Sequence, residues 1–185
     1  MTKENTELME EIFNKIKEYT DHNNIGVKMH ENILIKLKKE EEKTSRHVNS
    51  FQVDLALLDK IKEVYLVIIE VKGYETITTH DVLIYSSKAK KHKNLYPWLR
   101  YGIIWSSPKG KDHGIPRRFY MNNENLDFAF NFEGDINVNF KKFHDNILKR
   151  QIEISRNLYK ILENKNLKTT YFSSTLDFGE KEKNE

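Results

Sequence analysis

Residues 65–73 read YLVIIEVKG, an apolar run that ends on Glu70, Val71, Lys72 and Gly73. In an extended strand residues i and i+2 face the same way, about 6.6–7 Å apart, so the Glu70 carboxylate and the Lys72 ammonium share one face with Ile68 and Leu66. In the preceding run FQVDLALL (51–58), Asp54 is the single charged residue, on the face of Gln52 and Ala56. If the two runs fold symmetrically about Ile61, Asp54 lies opposite Ile68 and diagonal to Glu70, within about 7 Å. Two carboxylates that close repel, and a hard divalent cation between them removes the penalty. Mg²⁺ takes one or two carboxylates together with waters and phosphate oxygens. An ammonium beside such a metal orients or helps deprotonate a metal-bound water and stabilises charge developing on phosphorus. Taken alone, Glu-x-Lys at a strand end is a solvated surface pair. Asp54, the glycine that follows and a basic helix further on give it chemical content.

Residues 6–20, TELMEEIFNKIKEYT, place Leu8, Ile12, Ile16 and Tyr19 at helical spacing, with Thr6 as N-cap and Gly26 beyond the end. NILIKLKK (32–39) alternates Ile33, Ile35 and Leu37 with polar residues, the period of a half-buried strand. EEEKTSR is a charged connection. FQVDLALL and VYLVIIEVK, joined by DKIKE, predict an antiparallel hairpin, and the second run is apolar on both faces, as a central strand requires. A second helix starts near His80 or Asp81, with Val82, Tyr85, Ser86 and Ala89 on one stripe, and stops at Pro97. LRYGIIWSS reads as a further buried strand, PKGKDHGIP as a loop, RRFYMN with LDFAFNF as a second hairpin, and Phe140 to Asn164 as a long amphipathic helix. The predicted order is α–β–β–β–α–β with a C-terminal hairpin and helix, a mixed α/β (α+β) fold.

The chain has 185 residues, enough for one domain with a real core. It is 32% charged yet 11% aromatic, a composition that folds rather than stays disordered. There is no cysteine, which excludes disulfide scaffolds and thiolate metal sites. No run approaches the roughly 18 apolar residues of a membrane span, and MTKENTELMEE lacks a signal-peptide core. A cytoplasmic protein without a membrane partner is the expectation. From Ser86 to Tyr120 six Lys and three Arg stand against one Asp, a net +8, so the rest of the chain must be net −5. Aromatics interleave with this basic stretch in KNLYPWLRYG, a pattern that suits a phosphate backbone and equally a solvated lysine-rich surface.

Asp54, the Glu70-Val71-Lys72 tripeptide and the α–β–β–β–α–β order resemble the PD-(D/E)XK nuclease superfamily, over roughly residues 6–107. EVKGYETITTHDVLIYSSKAKKHKNLYPWLRYGIIWSS also looks like the methylation-dependent restriction nucleases. The resemblance implies a restriction-endonuclease-like fold. It also implies an Mg²⁺ (or Mn²⁺) ion held by Asp54, Glu70 and the Val71 carbonyl, with Lys72 acting on the attacking water. Val53 stands where the family's proline precedes the Asp. Some relatives carry a Lys or Gln on the following helix, for which Lys88 is the nearest candidate. Some add a Glu from the first helix, where Glu11 points away from the centre of the apolar face.

The resulting expectation is a single nuclease-like domain over 1–185, with a core at about 6–107, additions at about 115–165 and a polar tail at 166–185. It would hydrolyse DNA in restriction, defence or repair. An RNA endonuclease of the same fold, cap-snatching-like, and a non-cleaving nucleic-acid-binding module are the alternatives. Lys88, Lys91, Arg117 and Arg118 are the candidate nucleic-acid contacts. None of the seven histidines forms a zinc-like pair; His47 is a backbone contact or surface residue before a catalytic one, and His80-Asp81 reads as a helix cap. Tyr96, Trp98 and Tyr101 read as core, with base stacking as the rival role. The C-terminal helix either closes the core or makes a homodimer's two-fold interface.

Overall fold

The computed structural model describes residues 3–20, 23–36, 49–73, 76–107, 114–133, 136–166 and 169. Five strands form one mixed sheet in the order β1-β2-β3-β4-β5. These are β1 (Ile25–Leu34), β2 (Ser50–Asp59), β3 (Val64–Lys72), β4 (Arg100–Ser107) and β5 (Phe128–Glu133). β1, β2 and β3 are antiparallel, whereas β4 runs parallel to β3 and β5 parallel to β4. The helices are α1 (Lys3–Thr20), α2 (Thr79–Leu95), α3 (Arg117–Asn122), α4 (Ile136–Phe143) and α5 (Lys149–Glu163). A π-helical turn, His144–Leu148, joins α4 to α5 in one helical run. This is the α–β–β–β–α–β order, with β3 central and covered on both faces.

Each face packs on a different layer. On one, Leu8, Met9, Ile12 and Ile16 of α1 join Ile136, Phe140 and Phe143 of α4 over Leu55, Val67, Ile69 and Ile104. On the other, Val82 and Ala89 of α2 and Phe119 of α3 cover Ala56, Ile68, Tyr101 and Ile103. Gly102 of β4 faces Phe128 of β5, and a Cβ there would lie 2.2 Å from the Phe128 ring, so only glycine lets that ring pack flat on the sheet.

Several expectations change. RRFYMN is not a strand: Pro116 caps the short helix α3, whose buried residue is Phe119. The C-terminal hairpin is therefore absent, and LDFAFNF instead adds β5 in parallel to β4. Pro116 holds the N-cap position in an extended backbone, and a lone buried Phe gives no strand-like alternation. The first strand begins at Ile25 and not at Asn32, so Gly26 lies inside β1 and does not stop α1. The long C-terminal helix starts four residues early, at Ile136. EEEKTSR, His47, residues 108–113 and residues 170–185 lie outside the described residues. Among the described residues no helix is long and apolar enough to cross a membrane.

Candidate active site

The hairpin of β2 and β3 sets up the site through one irregularity. Next to the turn, Asp59 faces Val64 and Leu58 faces Tyr65, but beyond a register shift Leu57 faces Val67. Leu66 is the extra residue of a β-bulge, and it packs with Val67 on the α1 face, not with Ile68 as strict alternation predicts. Had the turn register continued, Asp54 would face Ile69 and point away from Glu70, because a one-residue slip sends a side chain to the other face. With the bulge Leu55 faces Ile69 in the last pair of the ladder, which keeps Asp54, one residue beyond it, on the Glu70 face. Asp54 is thus shifted by two residues from the expected place opposite Ile68, which Ala56 takes instead.

The two strands then separate. Pairing of β2 with β3 ends at Leu55–Ile69, while Glu70, Val71 and Lys72 continue along β4 beside Ile103, Ile104 and Trp105. Asp54 Oδ2 bridges the opening by accepting the Val71 amide at 2.8 Å. An extended residue points its N–H and C=O to the same neighbour, so the Val71 carbonyl is directed toward Asp54 as well.

Glu70 is 2% exposed, and its Oε1 accepts both the Tyr101 hydroxyl and, at 3.2 Å, the Lys88 ammonium. Burial pushes the Glu70 carboxyl up to about 7, and the Asp54 charge adds to this against the opposing pull of Lys88 and Tyr101. Lys88 thus lies beside Glu70, and its ammonium is 5.3 Å above the Tyr85 ring. Tyr85 and Tyr101 are both driven further toward the neutral phenol, first by burial and then by the Glu70 charge. Lys72 Nζ donates to Asp81 Oδ1 at 3.0 Å. The α2 cap is Thr78, with Asp81 as the reciprocal member of its capping box; His80 has no part in it.

This donor set fits a hard divalent cation. The Asp54 and Glu70 carboxylates feel each other's charge where the β2–β3 pairing stops, and among the described residues no hydrogen bond reaches Asp54 Oδ1 or Glu70 Oε2. No third His, Asp or Glu joins them among the described residues, so a cation there would complete its shell with carbonyl and water oxygens. None of the described bonds ties Glu11 to the site, and α1 packs on the opposite face.

The basic stretch is partly neutralised. Lys88 is on Glu70, while Lys93 and Arg100 both pair with Asp127, at 2.6 and 2.7 Å. Lys91 lies over the Phe51 ring at 5.0 Å, and Arg117 and Arg118 are exposed at the start of α3. Tyr101 is fully buried, and Trp98 donates its indole N–H to the Tyr65 carbonyl at 2.9 Å, so these aromatics are structural. Two partners escaped the sequence: Tyr101, whose place beside Glu70 depends on β3–β4 register, and Asp81, which read as a cap alone.

No family model, curated protein or solved structure matches the chain.

Proposed function

We propose that the protein is a metal-dependent endonuclease of restriction-endonuclease-like fold that hydrolyses phosphodiester bonds in DNA. The observation that carries this reading is Asp54 accepting the Val71 amide, between Glu70 and Lys72, while its charge acts on the buried Glu70 carboxylate, in the α–β–β–β–α–β order that the family uses. Asp54, Glu70 and the Val71 carbonyl would hold Mg²⁺ or Mn²⁺, which when bound neutralises charge on the scissile phosphate and acidifies a coordinated water. Burial and, after it, the Asp54 charge raise the Glu70 carboxyl, and a cation bound between the two carboxylates would favour its ionised form. Lys72, two residues along the same face, orients the attacking water and meets the charge that develops on phosphorus. Lys88 balances Glu70 from the helix side, and Lys91, Arg117 and Arg118 contact backbone phosphates.

Plasmid DNA incubated with the protein is expected to be cut with Mg²⁺ and left intact with EDTA. Lys72→Ala should lower cleavage by about 10²-fold or more, the usual scale for a positioned acid–base group, with fold and DNA binding nearly unchanged. A Lys72→Ala protein that cuts at the wild-type rate would sink the assignment. Matched RNA run in parallel separates the two substrates. A non-cleaving binding module also has an observation behind it, since Lys88 already neutralises one of the carboxylates. Calorimetric titration with Mn²⁺ that gives no binding heat would favour that module.

A further inference from the structure

Lys72 is held more firmly than a lysine at a strand end needs to be. Its ammonium donates to Asp81 Oδ1 at 3.0 Å, and the two side chains are only 24% and 12% exposed. The other carboxylate oxygen, Oδ2, accepts the Thr78 amide at 2.8 Å and the Thr78 hydroxyl at 2.6 Å. A capping box requires its third residue to accept the cap amide, a task that Oδ2 completes by itself. Oδ1 is therefore surplus to the cap, and it is turned to Lys72. Partial burial works to raise the Asp81 carboxyl, but the Thr78 bonds and the Lys72 charge outweigh it and hold it below its ordinary range, so it is ionised at neutral pH.

The same helix holds the other candidate residue from the opposite charge. Asp81 of α2 takes the strand ammonium of Lys72, while Lys88, two turns on, takes the strand carboxylate of Glu70. We infer that Asp81 is a positioning residue for Lys72, with Oδ2 locked to the α2 cap and Oδ1 fixing the ammonium on the face of the Asp54–Glu70 pair. This rests on the nuclease reading, in which Lys72 acts at the reacting atoms. A lysine head on a four-carbon stem has many rotamers, and a fixed contact from a rigid helix start cuts that freedom before substrate binds.

Asp81→Glu and Asp81→Gln separate positioning from capping. Glu and Gln both serve at this place in a capping box, so both variants keep the cap and differ only in the charge offered to Lys72. Asp81→Glu should retain kcat within about threefold, whereas Asp81→Gln should lose about 10- to 100-fold in kcat with KM unchanged, as for a misplaced catalytic group. The slowly exchanging ¹⁵Nζ ammonium cross-peak of Lys72, assigned through Lys72→Arg, should be present in wild type and Asp81→Glu and absent in Asp81→Gln. Equal kcat in the two variants, or a cross-peak that survives in Asp81→Gln, overturns the positioning role. If the wild-type protein itself cuts nothing, the nuclease reading has failed, and the cross-peak alone decides whether Asp81 orders Lys72.

Discussion

Beneath α1, α4 and α5 the sheet buries Leu55, Val67, Ile69, Ile104, Phe128 and Phe132 against apolar helix faces. Between α2 and the same sheet lie Glu70 and Tyr101 of the strands and Ser86 and His92 of the helix, buried among apolar neighbours. The first face gains from every apolar group removed from water, with the Asp59–Arg156 ion pair at 2.9 Å as a titratable member at its edge. The second holds groups whose charged forms are disfavoured there, and it keeps them only because each finds partners. Stability and chemistry are thus divided between two sides of one sheet, five strands wide, and the division can be tested by perturbing each side in turn.

The largest effect belongs to the apolar face. Phe143 is fully buried and packs its ring against Phe128, Phe130, Phe132 and Phe140. Phe143→Ala should cost about 3–5 kcal/mol, the usual range for removing a buried aromatic ring. Urea unfolding at pH 5 and pH 8 should give the same loss. A loss that differs by more than about 1 kcal/mol between the two would mean that the faces are coupled and the division is wrong.

Glu70→Gln perturbs the other face in the opposite direction. The folded carboxyl titrates near 7 against an ordinary 4.5, so between these values the folded protein keeps a proton that the unfolded chain has released. The stability this confers is complete below pH 4.5 and is lost as pH rises through 7. Glutamine does not titrate and can still accept from Tyr101 and Lys88. The variant should therefore be more stable than wild type at pH 8, by up to about 3 kcal/mol, and no more stable below pH 4.5. On the proposed metal site, added Mg²⁺ should stabilise the wild type at pH 8 and leave the variant unchanged. A variant less stable than wild type at pH 8 would show that the Lys88 pair, and not the burial of Glu70, dominates.

How much of this was legible follows from which residues carry a period. α2 with its stripe of Val82, Ser86 and Ala89, the uniformly apolar β3 and β4, and the charged exception Asp54 all announce themselves. The bulge at Leu66 does not, because a run that is apolar on both faces reads the same in either register. Since that bulge decides which face Asp54 joins, the pairing of Asp54 with Glu70 was legible as residue types and illegible as geometry. β1 was misplaced because an edge strand buries only Ile25 and Ile33 and leaves its middle half-exposed, including His30 in a left-handed backbone opposite Asp54. Asp81 illustrates a further limit, because a cap is a local signal and a second partner on another strand is not.

His92 tests the comparison most finely, because it opposes Glu70 on the same face. Its ring lies between Phe51 and Tyr101, with Nε2 3.3 Å from the Ile33 carbonyl and Nδ1 without a hydrogen-bond partner among the described residues. Burial, with help from the Lys88 charge, outweighs the bond to Ile33 and lowers the imidazole to about 4. Here the unfolded chain takes up the proton first, so stability is complete above 6.5 and is lost as pH falls through 4. Between pH 4.5 and 6.5 the Glu70 and His92 slopes have opposite signs, and wild-type stability should be nearly flat. His92→Phe should cost only about 1 kcal/mol at pH 7, the value of one neutral hydrogen bond, since the new ring fills the same slot between two aromatics. Its stability should fall with rising pH across that window, whereas that of Glu70→Gln should rise. Parallel slopes in the two variants would show that a different group sets the pH response of this face.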